Sequence, residues 1–132
     1  MLALLVAASL AATPAPSCAA ADPAVTGITV TRMKKRTPDH YVVTATVTNV
    51  GGLPQIVGVT QHAELVQDGK VVAEQDVPAL GAGVAYVLAF GIDRAVDLRK
   101  NPLPVTVRFV LVKGDRARND CNPRNDVLSK TF

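Results

Sequence analysis

Tryptophan is absent from this 132-residue chain, and its aromatic residues are limited to three Phe and two Tyr. No platform for stacking bases or sugars can be assembled from so few rings. Histidine is almost as scarce: His40 and His62 stand twenty-two positions apart, and neither falls at ligand spacing from Cys or another His. A zinc site of the usual kind is therefore not expected. No Gly-rich phosphate loop precedes a helix, and no Ser elbow or Cys/His signature occurs. Nucleotide chemistry and nucleophilic catalysis lack their machinery, and no enzyme and no cofactor are expected. Ser129 reads as a strand residue, and Asp120 beside Cys121 disfavours a reactive thiolate.

Charge of one sign is also in short supply. The net charge is +3, and the basic residues are spread along the chain apart from Lys34-Lys35-Arg36. That distribution argues against a nucleic-acid partner. The triplet reads first as a solvated loop, with an anionic envelope lipid or an acidic partner as the alternative. Helical periodicity is missing beyond the N-terminus, and the apolar run there, Leu2 to Ala12, is broken by Pro14 and Pro16 before it reaches the roughly 20 residues that a transmembrane helix needs. Followed by the small residues Ser17-Cys18-Ala19-Ala20-Ala21, the run reads as a secretory signal over residues 1–21, though it carries no Lys or Arg before its apolar core. A single domain over 22–132 follows, and the expected address is secreted or periplasmic.

Only two cysteines are present, and cleavage after Ala19, Ala20 or Ala21 would remove Cys18. Cys121 would then be an odd thiol in an oxidising compartment. Three readings stay open: a buried inert Cys121, a Cys18–Cys121 disulfide with processing further upstream, or an intermolecular bridge through Cys121. Acylation of Cys18 is a fourth, against which stands the poor lipobox Ala15-Pro16-Ser17.

What is abundant is β-type alternation. Nearly half of the residues are apolar, and Val, Leu, Ile and Ala must supply most of the core, which suits pleated sheets. Tyr41, Val43, Ala45 and Val47 alternate with Val42, Thr44, Thr46 and Thr48, the pattern of a half-buried strand, until Asn49-Val50-Gly51-Gly52, where the glycines are expected to take positive φ and turn the chain. Further strands are expected at Val25–Met33, Ile56–Val66, Val71–Val77, Val84–Phe90, Val105–Val112 and Val127–Phe132. Asp68-Gly69 marks a two-residue hairpin turn, and Gly83 closes a loop from Pro78. The strand at Val84–Phe90 is apolar on both faces and is expected to be central. Ile92–Pro104 reads as a crossing connection with one helical turn near Arg94–Leu98, Lys113–Pro123 as a polar loop, and His40 as a loop residue. His62 shares parity with Glu64 and should face solvent opposite Ala63 and Leu65. Seven strands fill two antiparallel sheets of an all-β, immunoglobulin- or fibronectin-III-like sandwich. An inward set of about fifteen side chains at ~1.5–3 kcal/mol each would drive its collapse.

Three groups of residues carry a family resemblance: Val47-Thr48-Asn49-Val50-Gly51-Gly52; Asp68-Gly69-Lys70-Val71-Val72 with Val77-Pro78-Ala79-Leu80-Gly81-Ala82-Gly83; and Asn119-Asp120 with Asn125-Asp126. In their order and spacing, over roughly Thr26 to Phe132, the chain resembles CARDB modules, named for a cell-adhesion-related domain found in bacteria. The resemblance implies an immunoglobulin-like sandwich on a secreted or surface protein. The motifs themselves are turn chemistry and support a fold, not a site.

The last loop holds the densest chemistry. Asp115, Asn119, Asp120, Asn122, Asn125 and Asp126 offer oxygen ligands suited to calcium. Against that, Asn and Asp cap turns through nearby backbone, and Arg116, Arg118 and Arg124 are interleaved with them, so turn capping is the preferred reading. The expected function is that of a non-enzymatic, exported bacterial module that binds a protein or envelope component. The alternatives are a lipid-anchored structural protein and a secreted inhibitor or calcium-dependent binder.

Overall fold

The computed structural model describes residues 18–33, 39–94 and 102–132. Lys34-Lys35-Arg36, most of the expected leader and the helical turn expected near Arg94–Leu98 lie wholly or mostly outside these residues. Seven strands are present among them: β1 (Pro23–Met33), β2 (Asp39–Asn49), β3 (Thr60–Gln67), β4 (Lys70–Asp76), β5 (Ala85–Arg94), β6 (Pro104–Lys113) and β7 (Val127–Thr131). They form two sheets, with order β1-β2-β5 and β4-β3-β6-β7, and every pairing is antiparallel. The fold is an all-β sandwich in which β4 lies beside β3 rather than in the sheet of β1 and β2.

The strands form where period-two alternation allows one face to be buried. Along β2, Tyr41, Val43, Ala45 and Val47 are fully buried, while Val42, Thr44, Thr46 and Thr48 are half-buried on the outer face. Across the interface, Ala63 and Leu65 of β3 and Val105, Val107 and Phe109 of β6 complete the same core. The inward residues of β1, Val25 and Ile28, differ in parity, which a β-bulge between Val25 and Gly27 reconciles. Between β3 and β4, Asp68 at φ 51° and Gly69 at φ 74° form the expected two-residue turn.

The structure corrects several expectations. β5 is an edge strand, and β2 is the centre of its sheet. Only Leu88 and Phe90 of its Val84–Phe90 run reach the core, whereas Val84, Tyr86 and Val87 are exposed. Two apolar faces here reflect an uncovered edge rather than burial on both sides. β3 begins at Thr60 instead of Ile56 because Gly58, at φ 102°, turns the chain just before it. His40 lies in β2, opposite Asp93 of β5, and its Nδ1 is 2.6 Å from the Asp93 Oδ1. The polar loop after β6 contains a short helix, α1 (Arg116–Asn119), and a 3-10 turn at Pro123–Asn125. None of the described helices is long and apolar enough to cross a membrane.

Candidate functional site

One end of the sandwich is built from the segment before β1, the β2–β3 and β4–β5 loops, and the β6–β7 loop. Asn49, at the end of β2, joins the first three. Its Oδ1 accepts from the backbone N–H of Asp22 (2.9 Å) and of Gly51 (3.0 Å). Its Nδ2 donates to the carbonyls of Leu53 (2.9 Å) and Leu80 (3.1 Å). A fully buried amide thus has all four of its hydrogen bonds made by protein.

Gly51 and Gly52 do not have the positive φ expected of them, since the positive-φ glycines among the described residues are Gly58, Gly69, Gly83 and Gly114. What requires glycine at position 51 is space. A Cβ there would stand 2.0 Å from the Ala20 carbonyl oxygen and 2.7 Å from the Asp22 nitrogen.

Residues 18–22 therefore run directly over the β2–β3 loop and are part of the packed structure. Ala21 is fully buried, accepts from the Cys121 N–H at 3.1 Å and donates to the Arg118 carbonyl at 3.3 Å. Cys18 and Cys121 are joined by a disulfide. Of the readings open for Cys121, the Cys18 partnership is the one formed.

A second group of amides stands beside Asn49. Gln55 and Gln61 bond reciprocally, Nε2 to Oε1, at 2.7 Å in each direction. Gln55 also donates to the Asn119 carbonyl and accepts from the Leu80 N–H, both at 2.9 Å, while Gln61 donates to the Pro78 carbonyl. Asn119 accepts from the Ile56 N–H at 2.9 Å and donates to the Asp115 carbonyl.

The polar residues singled out in the last loop divide into two sets. Asp115 caps α1 by accepting from the Ala117 N–H, and Asn122 caps the 3-10 turn by accepting from the Arg124 N–H. With Asn119, these are the turn-capping residues that the sequence favours. Asp120 and Asp126 behave differently. Both are buried, at 0 % and 6 % exposure, and they meet Asp22, at 2 %, which arrives from the segment before β1.

One oxygen from each of Asp22, Asp120 and Asp126 lies within 4.8 Å of the others. Asn125 donates from Nδ2 to the Asp22 Oδ2 at 2.8 Å. Asp22 Oδ1, both Asp120 oxygens, Asp126 Oδ1 and Asn125 Oδ1 are buried with no N–H donor among the described residues. Burial, followed by a carboxyl–carboxylate hydrogen bond with Asp120 and by the charge of Asp120, holds the Asp126 carboxyl well above the usual carboxylate range, against the smaller opposing effect of the Arg116 charge. Asp22 is also raised, first by burial and then by the charge of Asp120, while the bond from Asn125 opposes the shift. Arg116, Arg118 and Arg124, whose interleaving with these residues counts against a bound cation in the sequence, are exposed. Asp22 was outside the sequence-derived set because nothing local links it to residues a hundred positions away.

Two other groups have ligand-like spacing among the described residues. In Cys18, Asp22 and Cys121 both sulfurs are engaged in the disulfide. His62, Glu64 and Glu74 lie on the outer face of the four-stranded sheet, where His62 is 2.9 Å from Glu64 and the Arg108 guanidinium bonds the other Glu64 oxygen. A cation is already supplied there. The solvent-facing parity expected of His62 and Glu64 is what the structure has, since both are half-buried opposite Ala63 and Leu65. Ser129 lies in β7, its hydroxyl 2.8 Å from that of Thr106.

No family model matches the chain, and no curated protein does. Among solved structures, it is similar to the crystal structure of the CARDB domain of the PF1109 protein from Pyrococcus furiosus, which was determined in complex with di-metal ions. The likeness covers 89 % of this chain and 91 % of that one, with a TM-score of 0.57 at 14 % sequence identity. At that identity the likeness concerns the fold. The chain has the fold of a CARDB-type, immunoglobulin-like sandwich, as its turn motifs implied.

Proposed function

We propose that this protein is an exported, non-enzymatic bacterial module that works by binding a polypeptide of the envelope or the extracellular space. The observation that carries the reading is the Cys18–Cys121 disulfide, which spans 103 positions and ties the segment behind the apolar leader to the β6–β7 loop. Such bonds persist in oxidising compartments. The reading places processing upstream of Cys18, because residues 18–22 contribute two buried side chains, Ala21 and Asp22, and four backbone hydrogen bonds to the domain. It also disfavours lipid anchoring, since a sulfur held in a disulfide cannot form a thioether to an acyl glyceride. The binding surface is the free edge of β5, where Tyr86 and Val87 are exposed together with the preceding Val84. Gln75 covers the Ala89 carbonyl on this strand, and the remaining edge suits strand addition.

The test is cross-linking in the native exported fraction, followed by intact mass with and without reductant. The expected species retains Cys18, carries no lipid, is lighter by its two thiol hydrogens before reduction, and forms an adduct with a second polypeptide. A mature chain beginning after Cys18, an acylated Cys18, or the absence of any adduct would overturn the reading.

A further inference from the structure

We propose that Asp22, Asp120 and Asp126, with the amide oxygen of Asn125, form a binding site for a hard divalent cation, calcium by its chemistry, which clamps the segment before β1 to the β6–β7 loop. The site does not depend on export or on a polypeptide partner.

Three observations converge on it. The carboxylates approach within 4.8 Å of one another, a spacing that oxygens at 2.3–2.6 Å around one calcium ion can adopt. The carboxylate of Asp120 is fully buried, and among the described residues neither of its oxygens meets an N–H donor, its neighbour being the raised carboxyl of Asp126. Asp22 Oδ1, Asp126 Oδ1 and Asn125 Oδ1 are likewise buried and meet no N–H donor. The five orphaned atoms are all oxygens, so the pocket offers only hard ligands, which select calcium-like ions over zinc or copper.

The surrounding polar groups make the pocket distinctive. The amides next to it find donors and acceptors for their side chains, while the outward group His62–Glu64–Glu74 has Arg108 as its counter-charge. Arg116 is the basic side chain whose charge acts on Asp126, yet it is exposed. Burying carboxylates without a partner is costly, and a dication ligated by both chain segments would offset that cost. Magnesium fits less well, because it keeps several waters and demands a regular octahedron that so enclosed a set of side chains leaves little room for.

The test uses the full chain with its disulfide formed, stripped with EDTA and titrated calorimetrically with calcium chloride while thermal melting is followed. Saturable heat and a rise in Tm of roughly 5–15 °C in 10 mM calcium are expected at the affinity common for extracellular calcium modules. The same concentration of magnesium should give a much smaller rise. Asp120→Asn should melt higher than the wild type without calcium and lose the calcium response. Asp126→Asn is a second variant read in the same way, and Asp68→Asn, in the exposed hairpin turn, should retain the full response. Absence of heat and of any Tm shift in the wild type, an equal response to magnesium, or a full calcium response in both Asp120→Asn and Asp126→Asn would overturn the assignment.

Discussion

Two sets of buried polar side chains lie at the same end of this sandwich, one of amides and one of carboxylates. Gln55 and Gln61 bond to each other, and they, Asn49 and Asn119 bond loop carbonyls and N–H groups, so that none of their side-chain atoms is left without a partner. Asp22, Asp120 and Asp126 are as deeply buried, yet among the described residues four of their six oxygens meet no N–H donor. An amide both donates and accepts, so a few of them can close a network internally. An ionised carboxylate only accepts, so a cluster of them is completed by protons or by a cation. The first set holds loops in place without outside help. The second leaves oxygens that a proton or a cation would complete.

The largest expected effect comes from breaking the closed set. Asn49→Ala would leave the Asp22 and Gly51 N–H groups and the Leu53 and Leu80 carbonyls without their partner. We expect a loss on the order of 3–5 kcal/mol in urea unfolding; a loss below about 1 kcal/mol would mean that the network reforms around the gap. Next comes the covalent tie that both sets share. Reducing Cys18–Cys121, whose partners are 103 positions apart, should cost about 2–4 kcal/mol, seen as a lower urea midpoint in dithiothreitol.

Making the open set resemble the closed one should act in the opposite direction. In calcium-free buffer, Asp120→Asn is expected to gain about 1–2 kcal/mol, because a charge is removed from a buried like-charge cluster and an amide donor is introduced. Urea unfolding checks the sign, and a loss would show that Asp120 is already satisfied. The smallest effect lies on the exposed face. The hydrogen bond from His62, and after it the bond and charge of Arg108, hold Glu64 below its ordinary 4.5 against the opposing effect of burial. A depressed carboxylate contributes stability that is complete above its unfolded value and lost as pH falls through its folded one. Glu64→Gln should therefore flatten the acid limb of a stability–pH profile by under about 1 kcal/mol. An unchanged limb would assign acid sensitivity to other groups.

Much of the fold was legible because strand pairing writes a period of two into the sequence. The burial of Tyr41, Val43, Ala45 and Val47, the Asp68-Gly69 turn and the inward face of β6 follow that rule residue by residue. Where it failed, the cause was tertiary. The apolar Val84–Phe90 run fits a central strand as well as an uncovered edge, and only the sheet order distinguishes them. His40 reads as a loop residue because the strand begins before the alternation becomes clear. Gly51 reads as a positive-φ position, whereas what requires glycine there is the close passage of Ala20, a contact between distant segments.

The candidate site divides along the same line. Asp120, Asn125 and Asp126 could be singled out locally, as could the capping roles of Asp115 and Asn122, because a loop rich in Asn and Asp is dense in acceptors wherever it lies. Asp22 could not, and neither could the choice of Cys18 as the partner of Cys121. By itself the sequence determined the strands, their buried faces and the tight turns, all set by side chains within a few residues of one another. Only the tertiary structure decided which strand lies at an edge, which cysteines meet, and which carboxylates are buried together. Those outcomes depend on how the two sheets stack and where the first segment crosses them, and no local period encodes that.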